Sequence, residues 1–269
     1  MTAAALQQAI EHHNAGRLAD AEPLYWQVLE AEPDNADALF LLGTILTNTR
    51  RAAEAVAPLT RARDLAADSA DVHFALGLAL AANEDAAGAE RCFRATLEIE
   101  PAFADARYRL AEALAEQALG EDALAALLPL AERDPANLEA RLNIAALALE
   151  IGQLDVARDA AEAAVRIAPS AADGHVLLGT AQRRRGEFAA AEQTLGEATA
   201  LAPDDPEPQF QRGRALQEMG RTEAAMSAYR AAVAADDGYY ALILRNLTKA
   251  RSGRVFLRLS ELRRALRGS

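Results

Sequence analysis

Seven alanines stand 34 residues apart along the chain: Ala21, Ala55, Ala89, Ala123, Ala157, Ala191 and Ala225. A fixed period of that length describes one small unit repeated in tandem rather than a chain folded around a single irregular core. A second phase of the same period holds Ala9, Gly43, Gly77, Ala111, Ala145, Gly179 and Gly213. Two positions per unit thus carry little or no side chain, which predicts that two backbones pass close together there. Bulk returns four residues after each alanine of the first row, as Tyr25, Leu59, Phe93, Leu127, Ala161, Leu195 and Tyr229. Further on, Pro33, Pro101, Pro135, Pro169 and Pro203 close five of the units, with Ala67 and Asp237 in the other two. Proline lacks an amide hydrogen and fits badly inside a helix, so it marks the break between units. Each unit reads as two short helices and a stop.

In "GRLADAEPLYWQVLEAEPDN" and its counterpart "GEFAAAEQTLGEATALAPDD" the small, aromatic or leucine, and proline positions fall at the offsets of the tetratricopeptide repeat, which this chain resembles. The resemblance implies an all-α fold, a right-handed α-α superhelix of helix-turn-helix repeats. It sets seven units at 2–35, 36–69, 70–103, 104–137, 138–171, 172–205 and 206–239, followed by a basic capping segment at 240–269. The sequence departs from the family at the fourth position, where the expected tryptophan is replaced by Leu39, His73, Arg107, Arg141, His175 and Gln209 in the later units. The grid of small residues is complete in spite of this.

Composition fits a helical array. About one quarter of the residues are alanine, the best helix former, and only 5% are aromatic. Stability in such an array comes from each unit covering its neighbour. The start "MTAAALQQAIEHH" has no basic segment followed by an apolar core, and no run approaches the roughly 18 apolar residues of a membrane helix, which points to a soluble, cytoplasmic chain. A single cysteine, Cys92, excludes an intramolecular disulfide and suits a reducing compartment; beside Phe93 on a second helix it reads as a buried, inert thiol. Alanine richness and arginine in preference to lysine suggest a GC-rich bacterial genome.

Charge is uneven. The whole chain carries −12. Residues 240–269 hold eight basic side chains against Glu261 alone, a net +7 that leaves −19 on the seven units. An acidic body repels nucleic acid and anionic membrane, which are gripped through phosphate contacts by Lys and Arg, so neither is an expected partner of the array. The tail reads first as a cap over the apolar face of the last unit, with "YYALILRNLTKA" continuing the packing and Ser260 capping one further helix. Nucleic-acid or lipid binding, docking of a second protein, and self-association through the C-terminal end are its other readings.

The resemblance also places the first helix of each pair along an inner groove, exposed at its second, fifth, sixth, ninth, twelfth and thirteenth positions. The fifth-position row is Leu6, Phe40, Phe74, Tyr108, Leu142, Val176 and Phe210. This row either fills space between adjacent first helices or forms an apolar track for a segment of a partner. Acidic residues at the second position, Asp37, Asp71, Asp105, Glu139, Asp173 and Glu207, suit the first turn of a helix and are spaced too widely to share a metal ion. At the ninth, twelfth and thirteenth positions the array runs neutral, then acidic with Glu112, Glu116 and Glu150, then basic with Arg183, Arg184 and Arg214. That zoning is either a self-neutralising solvated surface or a device that orients a partner, basic residues near Glu112 and acidic residues near Arg183.

Catalysis has little to stand on. His12 and His13 are adjacent and so diverge on a helix, and no His-x-x-x-His spacing, phosphate loop or nucleophile motif occurs, which implies no metal, no cofactor and no enzyme in this chain. Two uses of the family do not transfer. Chaperone-binding members grip a terminal carboxylate with lysines and asparagines, but the one lysine here is Lys249; arrays attached to the nucleocytoplasmic glycosyltransferase carry asparagine at the sixth position, where this chain has Gln7, Leu41, Ala75, Arg109, Asn143, Leu177 and Gln211. Two function classes remain: a scaffold that binds a peptide or helix of a partner protein, and the substrate-recognition module of a sulfotransferase, glycosyltransferase or hydroxylase supplied by another domain or chain.

Overall fold

The computed structural model describes residues 2–249 and Leu266. Among these residues there are fifteen α-helices and no strand. The odd-numbered helices are α1 (Thr2–Asn14), α3 (Ala36–Asn48), α5 (Ala70–Ala82), α7 (Ala104–Glu116), α9 (Leu138–Ile151), α11 (Ala172–Arg184) and α13 (Pro206–Glu218). Their partners are α2 (Leu18–Ala31), α4 (Ala52–Leu65), α6 (Ala86–Ile99), α8 (Gly120–Arg133), α10 (Leu154–Ile167), α12 (Phe188–Leu201) and α14 (Thr222–Ala235), and α15 (Tyr239–Lys249) follows. The fold is all-α, built of consecutive packed helix pairs. The chain divides into two compact units, residues 1–130 and 131–269.

Each pair closes around one seat. In the first unit, a Cβ placed on Gly43 of α3 would lie 2.3 Å from Leu59 Cγ of α4, and one on Gly77 of α5 would lie 2.6 Å from Phe93 Cε1 of α6. In the second unit, Gly179 of α11 would meet Leu195 Cγ at 2.5 Å, and Gly213 of α13 would meet Tyr229 Cδ1 at 2.5 Å. Real Cβ atoms do not approach heavy atoms so closely, so the glycine is what admits the large side chain. This corrects the expectation of two backbones in close passage: the atoms filling the space belong to the side chain 16 residues further on. Leu59, Phe93, Leu195 and Tyr229 are fully buried as a result, and complete burial of such a side chain is worth roughly 1.5–3 kcal/mol.

The alanines of the first row are buried as well. Without a longer side chain they let the even-numbered helix lie close to its neighbours, while Leu42, Ile45 and Leu46 of α3 supply bulk to the core of the first unit. In the second unit the pair α9 and α10 inverts the usual division. The buried face of α10 is wholly alanine, Ala157, Ala160, Ala161, Ala163 and Ala164, and Ile144 and Leu149 of α9 supply the volume. Its short residue Ala145 stands opposite a second short residue, Ala161, in the sequence grid.

The turn from odd to even helix repeats the same backbone solution seven times. The amide of Arg17 donates to His12 O and that of Gly16 to His13 O, and equivalent bonds recur at Arg51, Asp85, Leu119, Gln153, Glu187 and Arg221. This is the Schellman arrangement, whose penultimate residue takes a left-handed conformation. Gly16, Gly152, Gly186 and Gly220 fill that place with φ between 73° and 87°, while Arg50, Glu84 and Ala118 adopt φ of 61°, 62° and 59°. The connections from even to odd helices are capped differently, by Asn35, Ser69, Asn137 and Asp205, each accepting an amide of the following helix.

At the C-terminal end, Ile243 and Leu247 of α15 join Phe210, Met226, Tyr229 and Val233 in one buried cluster, and Leu266 is buried in it too. Ser260 and most of the basic charge of the 240–269 segment lie outside the described residues.

The left-handed row yields a test. A non-glycine residue held there is strained by about 1 kcal/mol relative to glycine, partly offset by the greater freedom of glycine in the unfolded chain. The triple variant Arg50→Gly, Glu84→Gly, Ala118→Gly is expected to gain about 1–2 kcal/mol in urea unfolding with unchanged slope; a loss would show that Arg50 and Glu84 make compensating contacts.

Candidate partner-binding surfaces

The fifth-position residues sit on the odd-numbered helices. In the first unit Leu6, Phe40, Phe74 and Tyr108 are all half-buried. Leu6 and Phe40 pack along the edge of the core cluster, and the Phe74 ring lies 4.8 Å from Phe103 and 5.8 Å from Phe93 between centroids. In the second unit Leu142 and Val176 are half-buried, whereas Phe210 is only 9% exposed. Phe210 therefore departs from the expected solvent-facing rung. The reason is local: Tyr239 at the start of α15 meets its ring edge-on at 5.5 Å, Tyr229 lies at 6.2 Å, and the Arg214 guanidinium sits 5.6 Å from the ring centroid.

The acidic residues of the first unit are open to water. Glu112 is exposed and accepts a hydrogen bond from Arg109 Nη1 at 2.7 Å, an exposed pair of small energetic consequence, and Glu116 is exposed at the C-terminal end of α7. In the second unit Glu150 is exposed on α9.

The basic residues of the second unit are not equivalent. Arg184 is exposed and donates to the Leu149 carbonyl. Arg214 is half-buried; its Nη1 donates to Gln211 Oε1 at 3.3 Å. Gln211 in turn donates to Glu207 Oε1 at 2.6 Å, and the Tyr239 hydroxyl donates to Glu207 Oε2 at 2.7 Å. Arg183 is 8% exposed, its Nε is buried without a partner, and burial with the nearby positive charge of Arg214 pushes its pKa down to about 10. The expectation of a solvent-facing twelfth position fails here, and the row shows why. Leu149, Arg183 and Gln217, all at that position, are buried in the second unit.

Elsewhere in that row the polar group has a partner built in. His13 Nδ1 lies 3.3 Å from the Tyr25 hydroxyl, twelve residues on. The Tyr229 hydroxyl donates to Gln217 Oε1 at 2.7 Å, again twelve residues on, and Asn246 Nδ2 donates to both at 3.0 and 2.8 Å. Twelve residues after Arg183 stands Leu195, which has no hydroxyl. The sequence signal was present as one charged residue in a row otherwise made of His13, Thr47, Ala81, Ala115, Leu149 and Gln217.

Other candidate groups are structural. His175 is buried and its Nδ1 lies 3.0 Å from the Ala171 carbonyl, while His73 Nε2 lies 3.0 Å from that of Ala67. Among the described residues no three His, Cys, Asp or Glu side chains converge as a metal site, and no helix is long and apolar enough to cross a membrane. Cys92 is buried, and desolvation raises its pKa.

Repeated helix pairs with a small-residue seat and exposed, chemically varied odd helices define a class of interaction modules. The family model for the tetratricopeptide repeat matches residues 6–70, 74–128, 120–172 and 176–240, and the chain belongs to that family. No curated relative matches the sequence. Among solved structures, a tetratricopeptide repeat protein from Parabacteroides merdae aligns over 98% of this chain and 97% of its own, with a TM-score of 0.61 at 15% identity. YrrB, described as a tetratricopeptide protein with an unusual peptide-binding site, aligns over 68% of this chain and 95% of its own, with a TM-score of 0.60 at 21% identity. TTC0263 from Thermus thermophilus aligns over 67% and 98%, with a TM-score of 0.51 at 25% identity. Proteins of this family are in general non-catalytic modules that bind other proteins or peptides.

The burial of Cys92 can be tested directly. Since the thiolate is the reactive form and burial disfavours it, dithionitrobenzoate at pH 8 is expected to label Cys92 only as fast as the protein unfolds, and at once in denaturant. Immediate stoichiometric labelling of the native protein would show that α6 opens locally.

Proposed function

We propose that this protein is a cytoplasmic, non-catalytic scaffold that holds a peptide or helical segment of a partner protein against its odd-numbered helices. The observation that carries this reading is the run of half-buried apolar residues there: Leu6, Phe40, Phe74 and Tyr108 in the first unit, Leu142 and Val176 in the second. Apolar side chains that stay partly wet at regular spacing offer anchor points, and charged residues beside them select which segment docks and in which direction. Glu112, Glu116 and Glu150 suit basic residues of the partner; Arg184 and Arg214 suit acidic ones. The membership of the chain in a family of interaction modules supports the same reading.

The test compares wild type with a Phe40→Glu, Tyr108→Glu variant as baits in a lysate of the source organism, with circular dichroism confirming that both are helical. A protein retained by wild type and lost from the variant is the expected result. A partner retained equally by both would remove the odd-helix row from consideration.

A further inference from the structure

We infer that Arg183, Arg184 and Arg214 form a binding site for the side-chain carboxylate of an acidic segment of the partner. This deepens the scaffold reading and rests on it. Arg183 and Arg184 project from α11 and Arg214 from α13, all within the second unit. Arg183 is the telling member. An arginine residue that is 92% buried normally has its buried donors satisfied by carboxylates or carbonyls, because stripping a charged group of water without replacement costs several kcal/mol. Arg183 makes no hydrogen bond or ion pair with any described residue, and its Nε is fully enclosed.

Its surroundings compound the cost. The nearby charges of Arg214 and Arg184 are like charges, and Glu218 opposes them. Arg214 is itself partly desolvated, with its guanidinium drawn over the Phe210 ring. The polar neighbours are already committed. Gln217 and Tyr229 bond each other and Asn246, and Glu207 accepts from Gln211 and Tyr239. The cluster therefore holds three positive charges against the nearby Glu207 and Glu218, with the exposed Arg184 marking the approach. A planar carboxylate accepts two parallel hydrogen bonds from an arginine and neutralises its charge. An acidic side chain within a docked segment satisfies both needs, and the acidic partner zone proposed for the second unit supplies it.

The experiment titrates the full chain, by calorimetry at fixed ionic strength, with a capped oligoglutamate peptide, its oligoglutamine counterpart and inorganic phosphate. Capping removes terminal carboxylates as a source. Oligoglutamate is expected to bind wild type, with Arg183→Met and Arg214→Met each weakening it at least about tenfold and Arg63→Met, in the first unit, leaving it unchanged. The ligand-free Arg183→Met variant is expected to melt no lower than wild type, because an unpaired buried charge is lost. Equal binding by wild type and Arg183→Met, binding of phosphate alone, absence of binding by any probe, or a clearly lowered melting temperature would each overturn the site. If oligoglutamate behaves as expected while the Phe40 and Tyr108 variant retains every partner, the anion site stands and the apolar reading of the odd helices falls.

Discussion

The helix pairs of this molecule, α9 and α10 excepted, depend on one steric complement: a missing or minimal Cβ on an odd-numbered helix and a large side chain on its partner. Where the large residue is Leu59, Phe93, Leu195 or Tyr229, the facing position is glycine, and the fit leaves no room even for a methyl group. The seat sets how closely each pair of helices packs and how they are rotated about their axes. Rotation then decides which positions of the odd helix enter the core and which meet water. The binding surfaces are thus consequences of the core.

That dependence explains the contrast between the acidic and the basic positions. Glu112, Glu116 and Glu150 lie on the wet side of their helices and keep their hydration. In the second unit the twelfth position of the odd helices is buried, and a polar residue at that position is tolerated where a tyrosine hydroxyl or an equivalent group meets it, as for Gln217 there and His13 in the first unit. Arg183 occupies the same place without such a group. A protein keeps a buried unpaired charge at a cost in stability, and sites of that kind are where function and local structural preference disagree.

Much of the fold was legible in the sequence because the period is fixed and small residues cannot be mistaken for large ones. The rows through Ala21 and Gly43, and the prolines at Pro33 and Pro101, mark the helix pairs without reference to coordinates. The nature of the close contact was misread, since a string of small residues is compatible with backbone against backbone or backbone against side chain, and only coordinates distinguish them. The left-handed row is only partly marked in the sequence: Gly16, Gly152, Gly186 and Gly220 share a phase, but Arg50, Glu84 and Ala118 adopt the same conformation without glycine. The burial of Phe210 could not be read from the repeat, because it arises from Tyr239, just beyond the last repeated pair. For Arg183, position within the period gave the right helix and the wrong environment.

The seat is tested most directly by a double-mutant cycle at Gly77 and Phe93 followed by urea unfolding. Gly77→Val alone forces the Phe93 ring out of place and is expected to cost about 1–3 kcal/mol, and Phe93→Ala alone about 3–5 kcal/mol. If the two residues share one space, the double variant costs less than the sum by at least about 1 kcal/mol, since the valine enters the volume that the ring vacates. Strictly additive costs would mean that the two side-chain volumes are independent, and the account of how these helices pair would be wrong.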